Sequence, residues 1–213
     1  MAATVDKRAD SGARARKGRP PQSEAQRNAV RLTIAREAVR LFAERGVSGT
    51  SSAEIARAAG VSVRTLWRHF PSKEECVRPL LLGGLDATAR LLEEWPRDRP
   101  LREALEREPL TSPAAEEDAG LLRHLVRLTL EEPALRAVWL RVHHEAEAVF
   151  ARVLARRAGS RRDALEPRVQ AVMLNGALRV AAEEWARRDS PSDPGASGAL
   201  RRALRIAADG LPI

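Results

Sequence analysis

The sequence predicts an all-α chain, and three observations carry that expectation. No stretch alternates apolar and polar residues with period two, and Val, Ile, Tyr and Phe are too sparse to furnish a sheet, with no tyrosine and 3 phenylalanines in 213 residues. Apolar residues recur instead at spacings of three and four, as in Leu135, Val138, Trp139, Val142, Ala146, Val149, Phe150, Val153 and Leu154, which places them along one face of a helix. The punctuation between such stretches is also helical, with serine or proline at the starts and glycine at the ends.

Taken in order, residues 1–21 form a polar arm with Gly, Pro and Arg. It lacks the apolar core of a signal peptide. The arm is either disordered chain or a basic extension whose Arg14, Arg16, Lys17 and Arg19 reach phosphates or a minor groove. A first helix runs over 29–46. Ser51 with Glu54 three residues on fits a capping box that opens a second, short helix with Ile55, Ala56 and Ala59 on its apolar face. Gly60 suits a left-handed turn, Val61 plugs the corner, and Ser62 caps a third helix from Val63 to His69. Leu66 and Phe70, four apart, point inward there, which leaves Arg64, Thr65, Trp67, Arg68 and His69 facing outward.

Ser72 then caps a long helix to about Trp95, with a bend expected where Pro79 and Gly83-Gly84 interrupt it. Asp98 or Arg99, followed by Pro100, starts a short helix to about Glu108. After a Pro-, Ser- and Thr-rich loop, Ser112-Pro113 opens a helix reaching about Leu130. Pro133 begins the next, closed by Gly159, and two more follow at Leu165–Arg188 and Ala196–Ala208. The count is nine, three and then six.

The second and third helices carry the chemistry. A short helix that presents arginine, hydroxyl, indole and imidazole on one side suits base edges and phosphates. Charge agrees: the formal net charge is +8, and all of that excess lies within residues 1–78, since the remainder carries equal numbers of acids and bases. That is the footprint of a phosphate-binding module. An arginine-rich composition would explain why Arg outnumbers Lys, but not why the excess is confined to one end.

Residues 27–75 resemble the DNA-binding domain of the tetracycline-repressor (TetR) family of bacterial regulators. The helix ending Phe42-Ala43-Glu44-Arg45-Gly46 is similar to that family's first helix. The block Ile55-Ala56, Ala59-Gly60-Val61-Ser62, Thr65-Leu66, His69-Phe70 and Lys73-Glu74 matches the rest in order. One departure is Trp67, where the family usually carries tyrosine and an indole N–H here replaces a hydroxyl. The resemblance implies an arm over 1–21, a helix-turn-helix DNA-binding domain over 22–72 and a six-helix ligand-binding and dimerisation domain over 73–213. It implies contacts to a duplex operator from Ser52, Ser62, Val63, Arg64, Thr65, Trp67, Arg68, His69 and Lys73, the last at a helix start where ammonium and backbone N–H groups hold a phosphate.

The last two helices carry stripes rich in small apolar residues: Val169, Val172, Met173, Gly176, Ala177 and Val180, then Ala199, Leu200, Ala203, Leu204 and Ala207. They are either buried within one subunit or form a four-helix contact between two, and the resemblance favours a homodimer. The parts around Leu130–Arg136, Val153–Gly159 and Ala171–Trp185 resemble C-terminal domains of regulators that bind acyl-CoA-like effectors. Trp95, His124, Trp139, His143, Asn175 and Trp185 are the candidate lining residues of such a pocket. Asn175, amid apolar neighbours, needs a buried partner, either a ligand or a protein group.

Other chemistry finds little support. His143 and His144 are adjacent and splay about 100° apart on a helix, whereas a helical zinc site needs histidines four apart, so no metal and no cofactor are expected. No nucleophile–base arrangement or phosphate-cradling glycine loop is present, so no catalytic residues and no enzyme are expected. The single Cys76 gives no disulfide framework and suits a reducing cytoplasm; at a helix start it is either an inert small residue or a thiol with a lowered pKa. No apolar run is long enough to span a membrane. The expected function is a cytoplasmic, ligand-responsive, homodimeric repressor. The alternatives are an activator or partner-controlled regulator and, from another class, a helical enzyme or carrier with an incidental basic end.

Overall fold

A computed structural model of the chain describes residues 23–100, 103, 119–161, 163–188 and 195–209. All regular structure among them is helical. The helices are α1 (Glu24–Arg45), α2 (Ser52–Ala58), α3 (Val63–His69), α4 (Arg78–Glu94), α5 (Ala119–Glu131), α6 (Pro133–Ala158), α7 (Leu165–Arg187) and α8 (Gly195–Asp209), with a 3₁₀ turn at Glu74–Val77 before α4. The arm, most of the expected short helix to Glu108 and the start at Ser112 lie outside the described residues.

Caps explain most of the boundaries. Ser51 accepts from the Glu54 N–H while the Glu54 carboxylate accepts from the Ser51 N–H, the reciprocal box expected. Ser62 accepts from the Thr65 N–H and opens α3. Gly60 and Gly159 take positive φ, 66° and 64°, at the turn after α2 and at the end of α6, where a side chain would be strained. α1 begins five residues before the expected start, because Ser23 and Gln26 form a second capping box.

The long helix expected from Ser72 is divided. Ser72 accepts from the Glu75 N–H, but the turn it opens is 3₁₀, and α4 starts only at Arg78. Pro79 therefore sits in the first turn of α4, where its missing N–H has no intrahelical partner to lose, so it helps begin the helix rather than bending it. Gly83 and Gly84 lie inside α4, and a Cβ added at either would meet nothing within 4 Å. They are not there to admit a close-packed neighbour.

α1, α2 and α3 pack together, and α1 also touches the 3₁₀ turn, α4 and α5; α6 packs on α4, α5, α7 and the turn, and α8 lies along α7. One buried apolar cluster runs from Ile34 and Phe42 through Cys76, Val77 and Leu81 to Phe150 and Leu178. The three-helix head and the larger body thus share a core through residues 76–81. Arginines close exposed helix ends: Arg127 donates to the Ala186 carbonyl at the end of α7, and Arg157 to those of Leu92, Trp95 and Pro96 at the end of α4.

Candidate nucleic-acid interface and effector cavity

α3 is anchored by one buried side chain, Leu66, with Phe70 buried just past its end. On the opposite side Arg64 and Arg68 are exposed, and Trp67 and Val63 stand out at 46% and 41% exposure. An indole and an aliphatic group left so far in water are unusual for a packed helix and suit a surface that meets a partner. Ser62 and Thr65 are less available than expected. Ser62 Oγ is the N-cap, and it also shares a 2.9 Å hydrogen bond with Thr65 Oγ1. Ser52 is half-buried in the first turn of α2.

Two expected contacts have a different geometry. His69 does not face outward but is half-buried, with its Nε2 buried and lacking a protein partner. Burial, then the charges of Arg68, Arg31 and Arg27, hold its pKa below the ordinary imidazole value. It lines a cleft of about 330 Å³ with Arg68 and with Glu24, Arg27, Asn28 and Arg31 from the start of α1. Sequence reasoning missed these α1 residues, although the Ser23–Gln26 capping box would have extended α1 to include them. Lys73 is not at the start of a free helix end. Its ammonium donates to the carbonyls of Val47, at 2.6 Å, and Thr50, at 2.8 Å. Two of its three N–H bonds thus hold the α1–α2 loop, and one remains for a phosphate.

The body holds a half-open apolar cavity of about 110 Å³ among α4, α5, α6, α7 and α8. Of the six candidate lining residues, Trp139, His143 and Trp185 meet there, beside Leu81, Leu85, Leu122, Val126, Leu178 and Gly84. Trp95, His124 and Asn175 do not line it. Trp95 ends α4, where Arg157 takes its carbonyl. His124 is half-buried on α5. Asn175 lies behind His143: its Oδ1 is 2.7 Å from His143 Nδ1, and its Nδ2 donates to the His143 carbonyl and to Glu147 Oε1, each at 3.1 Å. The buried partner that Asn175 needed is the protein itself.

Trp139 is held by its own second layer. Its Nε1–H donates to Glu183 Oε1 at 3.0 Å, and Arg136 and Arg179 pair with the same carboxylate. Burial disfavours charge on Glu183, but the hydrogen bonds from Trp139 and Arg136 outweigh it, and the pKa falls below the usual value. Nothing in the sequence Ala182-Glu183-Glu184-Trp185 marked Glu183 over Glu184. Burial, above all, holds His143 below the ordinary imidazole value, against the bond from Asn175, which favours the charged form. His143 is therefore neutral near pH 7.

Cys76 is fully buried, and burial, followed by the charges of Glu74 and Glu75, pushes its thiol up to about 12. That is opposite to a reactive thiolate, so the inert reading stands. Among the described residues no group of His, Cys, Asp and Glu could hold a metal ion, and no helix is long and apolar enough to cross a membrane.

Comparison with known proteins adds a family. The model of bacterial regulatory proteins of the tetR family matches residues 34–80, and that of the MftR C-terminal domain matches residues 100–212. MftR of Mycobacterium tuberculosis, a transcriptional regulator ascribed to mycofactocin biosynthesis, is 32% identical over 164 residues, 76% of this chain and 82% of the relative. The HTH-type transcriptional regulator TcmR of Streptomyces glaucescens is 31% identical over 164 residues, 73% of each chain. A tetR-family transcription regulator from Shewanella sp. PV-4 superposes with a TM-score of 0.51 at 22% identity, covering 84% of this chain and 96% of that one. That last likeness shows the fold.

Proposed function

The chain belongs to the tetR family of bacterial regulatory proteins, and from that premise we propose a cytoplasmic repressor that binds a pseudo-palindromic operator as a homodimer and releases it when a small hydrophobic molecule fills the cavity. The observation that carries the reading is α3 itself, a capped helix pinned by Leu66 that presents Arg64, Trp67 and Arg68 to solvent. Arg64 sits at the second position of α3, where side chains of a recognition helix reach base edges; Arg68, Trp67 and the α1 cleft suit phosphates. Lys73 serves chiefly to hold the loop from which α2 starts, and Ser62 and Thr65 to cap α3, with their remaining hydrogen-bonding capacity open to DNA.

The exposed apolar residues of α7, Val169, Val172, Met173 and Val180, together with Ile206 of α8, support the homodimer. They lie on the side of the hairpin away from its own core, whereas Leu200, Ala199, Ala203 and Leu204 pack inward. A volume of about 110 Å³ favours a compact apolar effector over a whole acyl-CoA.

The test is selection of bound duplexes from a random library, followed by anisotropy titrations at fixed salt. The expected result is a two-fold repeated half-site, bound far more tightly than random duplex, with Arg64→Ala costing about 1–3 kcal/mol on the selected sequence and much less on random DNA. Equal affinity of the unmutated protein for selected and random duplexes would sink the reading.

A further inference from the structure

The wall of the cavity holds one polar feature that neither the fold nor the DNA-binding surface uses. His143 is 3% exposed, lines the cavity, and its Nε2 is buried with no protein partner. Two other polar groups of the wall are satisfied within the protein: Trp139 Nε1 by Glu183 and Thr88 Oγ1 by the Gly84 carbonyl.

The hydrogen bonds around Asn175 decide which way His143 is protonated. Asn175 Nδ2 lies 3.1 Å from the His143 carbonyl and 3.1 Å from Glu147 Oε1, two groups that only accept. The amide nitrogen must therefore be on that side, and Oδ1 on the side of His143. An amide oxygen accepts, so the imidazole places its proton on Nδ1 and donates at 2.7 Å. With the ring neutral, Nε2 is left with a lone pair and no proton. The edge-to-face contact with Trp139, 4.1 Å between centroids, fixes the ring plane as well. A buried acceptor held in one tautomer and one orientation, on a residue that lines an apolar volume, is the pattern of a ligand-binding polar group.

We propose that His143 Nε2 is the hydrogen-bond acceptor of the effector cavity, and that the cavity selects a compact, neutral, largely apolar molecule bearing one donor group, such as a hydroxyl. This rests on the reading of the cavity as an effector site and states what that site accepts. An anionic carboxylate offers only acceptors to Nε2 and is rejected, as is an ether or ketone of the same shape. The volume, about 110 Å³, is somewhat below the engineered cavity of about 150 Å³ that binds benzene, so a single ring is the right size of probe once the leucines give slightly.

Phenol and toluene serve as the probe pair, because they differ by a hydroxyl in place of a methyl. Trp139 and Trp185 line the cavity, so binding to the full-length protein is read from tryptophan fluorescence and checked by calorimetry. The expected result is saturable binding of phenol, with a phenol-to-toluene affinity ratio that falls by roughly three- to tenfold in His143→Leu, the size of one buried neutral hydrogen bond. Asn175→Ala keeps the imidazole but frees its tautomer, and it is expected to lower the ratio by a smaller factor. It also serves if His143→Leu does not fold.

An unchanged ratio in both variants overturns the proposal, as does the absence of saturable binding of either probe. Operator binding is measured in the same samples. If phenol binds with the expected dependence on His143 yet leaves operator affinity unchanged, the donor-selective site stands and its role as an effector site fails. If phenol also weakens operator binding, both stand.

Discussion

Lys73→Met separates two roles for one ammonium. In the structure Nζ bridges the carbonyls of Val47 and Thr50, and Thr50 Oγ1 donates to the Gly46 carbonyl at 2.8 Å. Val47 and Thr50 are buried, so the loop from α1 to α2 is tied from both sides. Hydrogen bonds to a charged group contribute about 1.5–3 kcal/mol, and partial solvent access to Lys73 puts the sum of its two at the lower end of what two would give. Methionine keeps most of the aliphatic stem and removes the donors. The expected loss is about 3 kcal/mol, which for a chain of this size lowers Tm by about 6–12 °C. Urea unfolding should give the same loss through a lower midpoint at unchanged slope. Operator binding should weaken because α2 and α3 are less well held, with the log-log salt dependence shifting by less than the roughly one unit per subunit that a lost phosphate contact removes. An unchanged Tm together with a slope lower by a full unit would refute the brace and return Lys73 to the phosphate.

Two further outcomes follow from the body. Val172→Arg with Val180→Arg, both on the exposed side of α7, should give a monomer by sedimentation, because each charge would be buried against its symmetry mate in an interface expected to exceed about 1,200 Å²; a dimer of unchanged affinity would place the interface elsewhere. Gly83→Ala, which meets no neighbour and does not line the cavity, should stabilise α4 by up to about 1 kcal/mol and reduce the response of operator binding to ligand, whereas a wild-type response in a more stable protein would show that this turn is no hinge.

Local rules made the head legible. Ser51–Glu54, Gly60 and Ser62 each specify a backbone conformation within four residues, so α2, the turn and α3 can be read without knowing what surrounds them. The division at Arg78 could not be read that way. A helix starting at Ser72 and a 3₁₀ turn followed by a helix that has proline in its first turn use the same residues, and the choice depends on Cys76 and Val77 being drawn into the core. The surroundings of His69 and Lys73 could not be read for the same reason. Their chemistry fits a phosphate, but their environment is set by Arg31 and Val47, residues 38 and 26 positions away. The cavity shows the limit most clearly. Aromatic scarcity singled out Trp139 and Trp185, which line the cavity, and equally Trp95, which does not, because composition says which residues are unusual and not which helices converge.

The same geometry joins the two ends of the proposed switch. Arg141 pairs with Glu75 of the 3₁₀ turn at 2.7 Å, and Glu145 pairs with Arg78 at the start of α4. These two α6 residues are four apart and share a face, while His143, midway between them, is about 200° around the helix and faces the cavity. One turn of α6 thus touches the cavity on one side and the base of the three-helix head on the other. The ion pairs are partly exposed and individually weak, so their value lies in direction rather than strength. A ligand that shifts α6 has two polar contacts through which to move residues 75–78, and those residues share a buried core with α1. A coupling of about 1–3 kcal/mol, the usual range, requires only that the ligand prefer one of two positions of α6 by that amount. α6 is packed on α4, α5 and α7, so a displacement at His143 is expected to move the helix and not the side chain alone, and a crystal structure with bound ligand in which α6 keeps its place would refute this route.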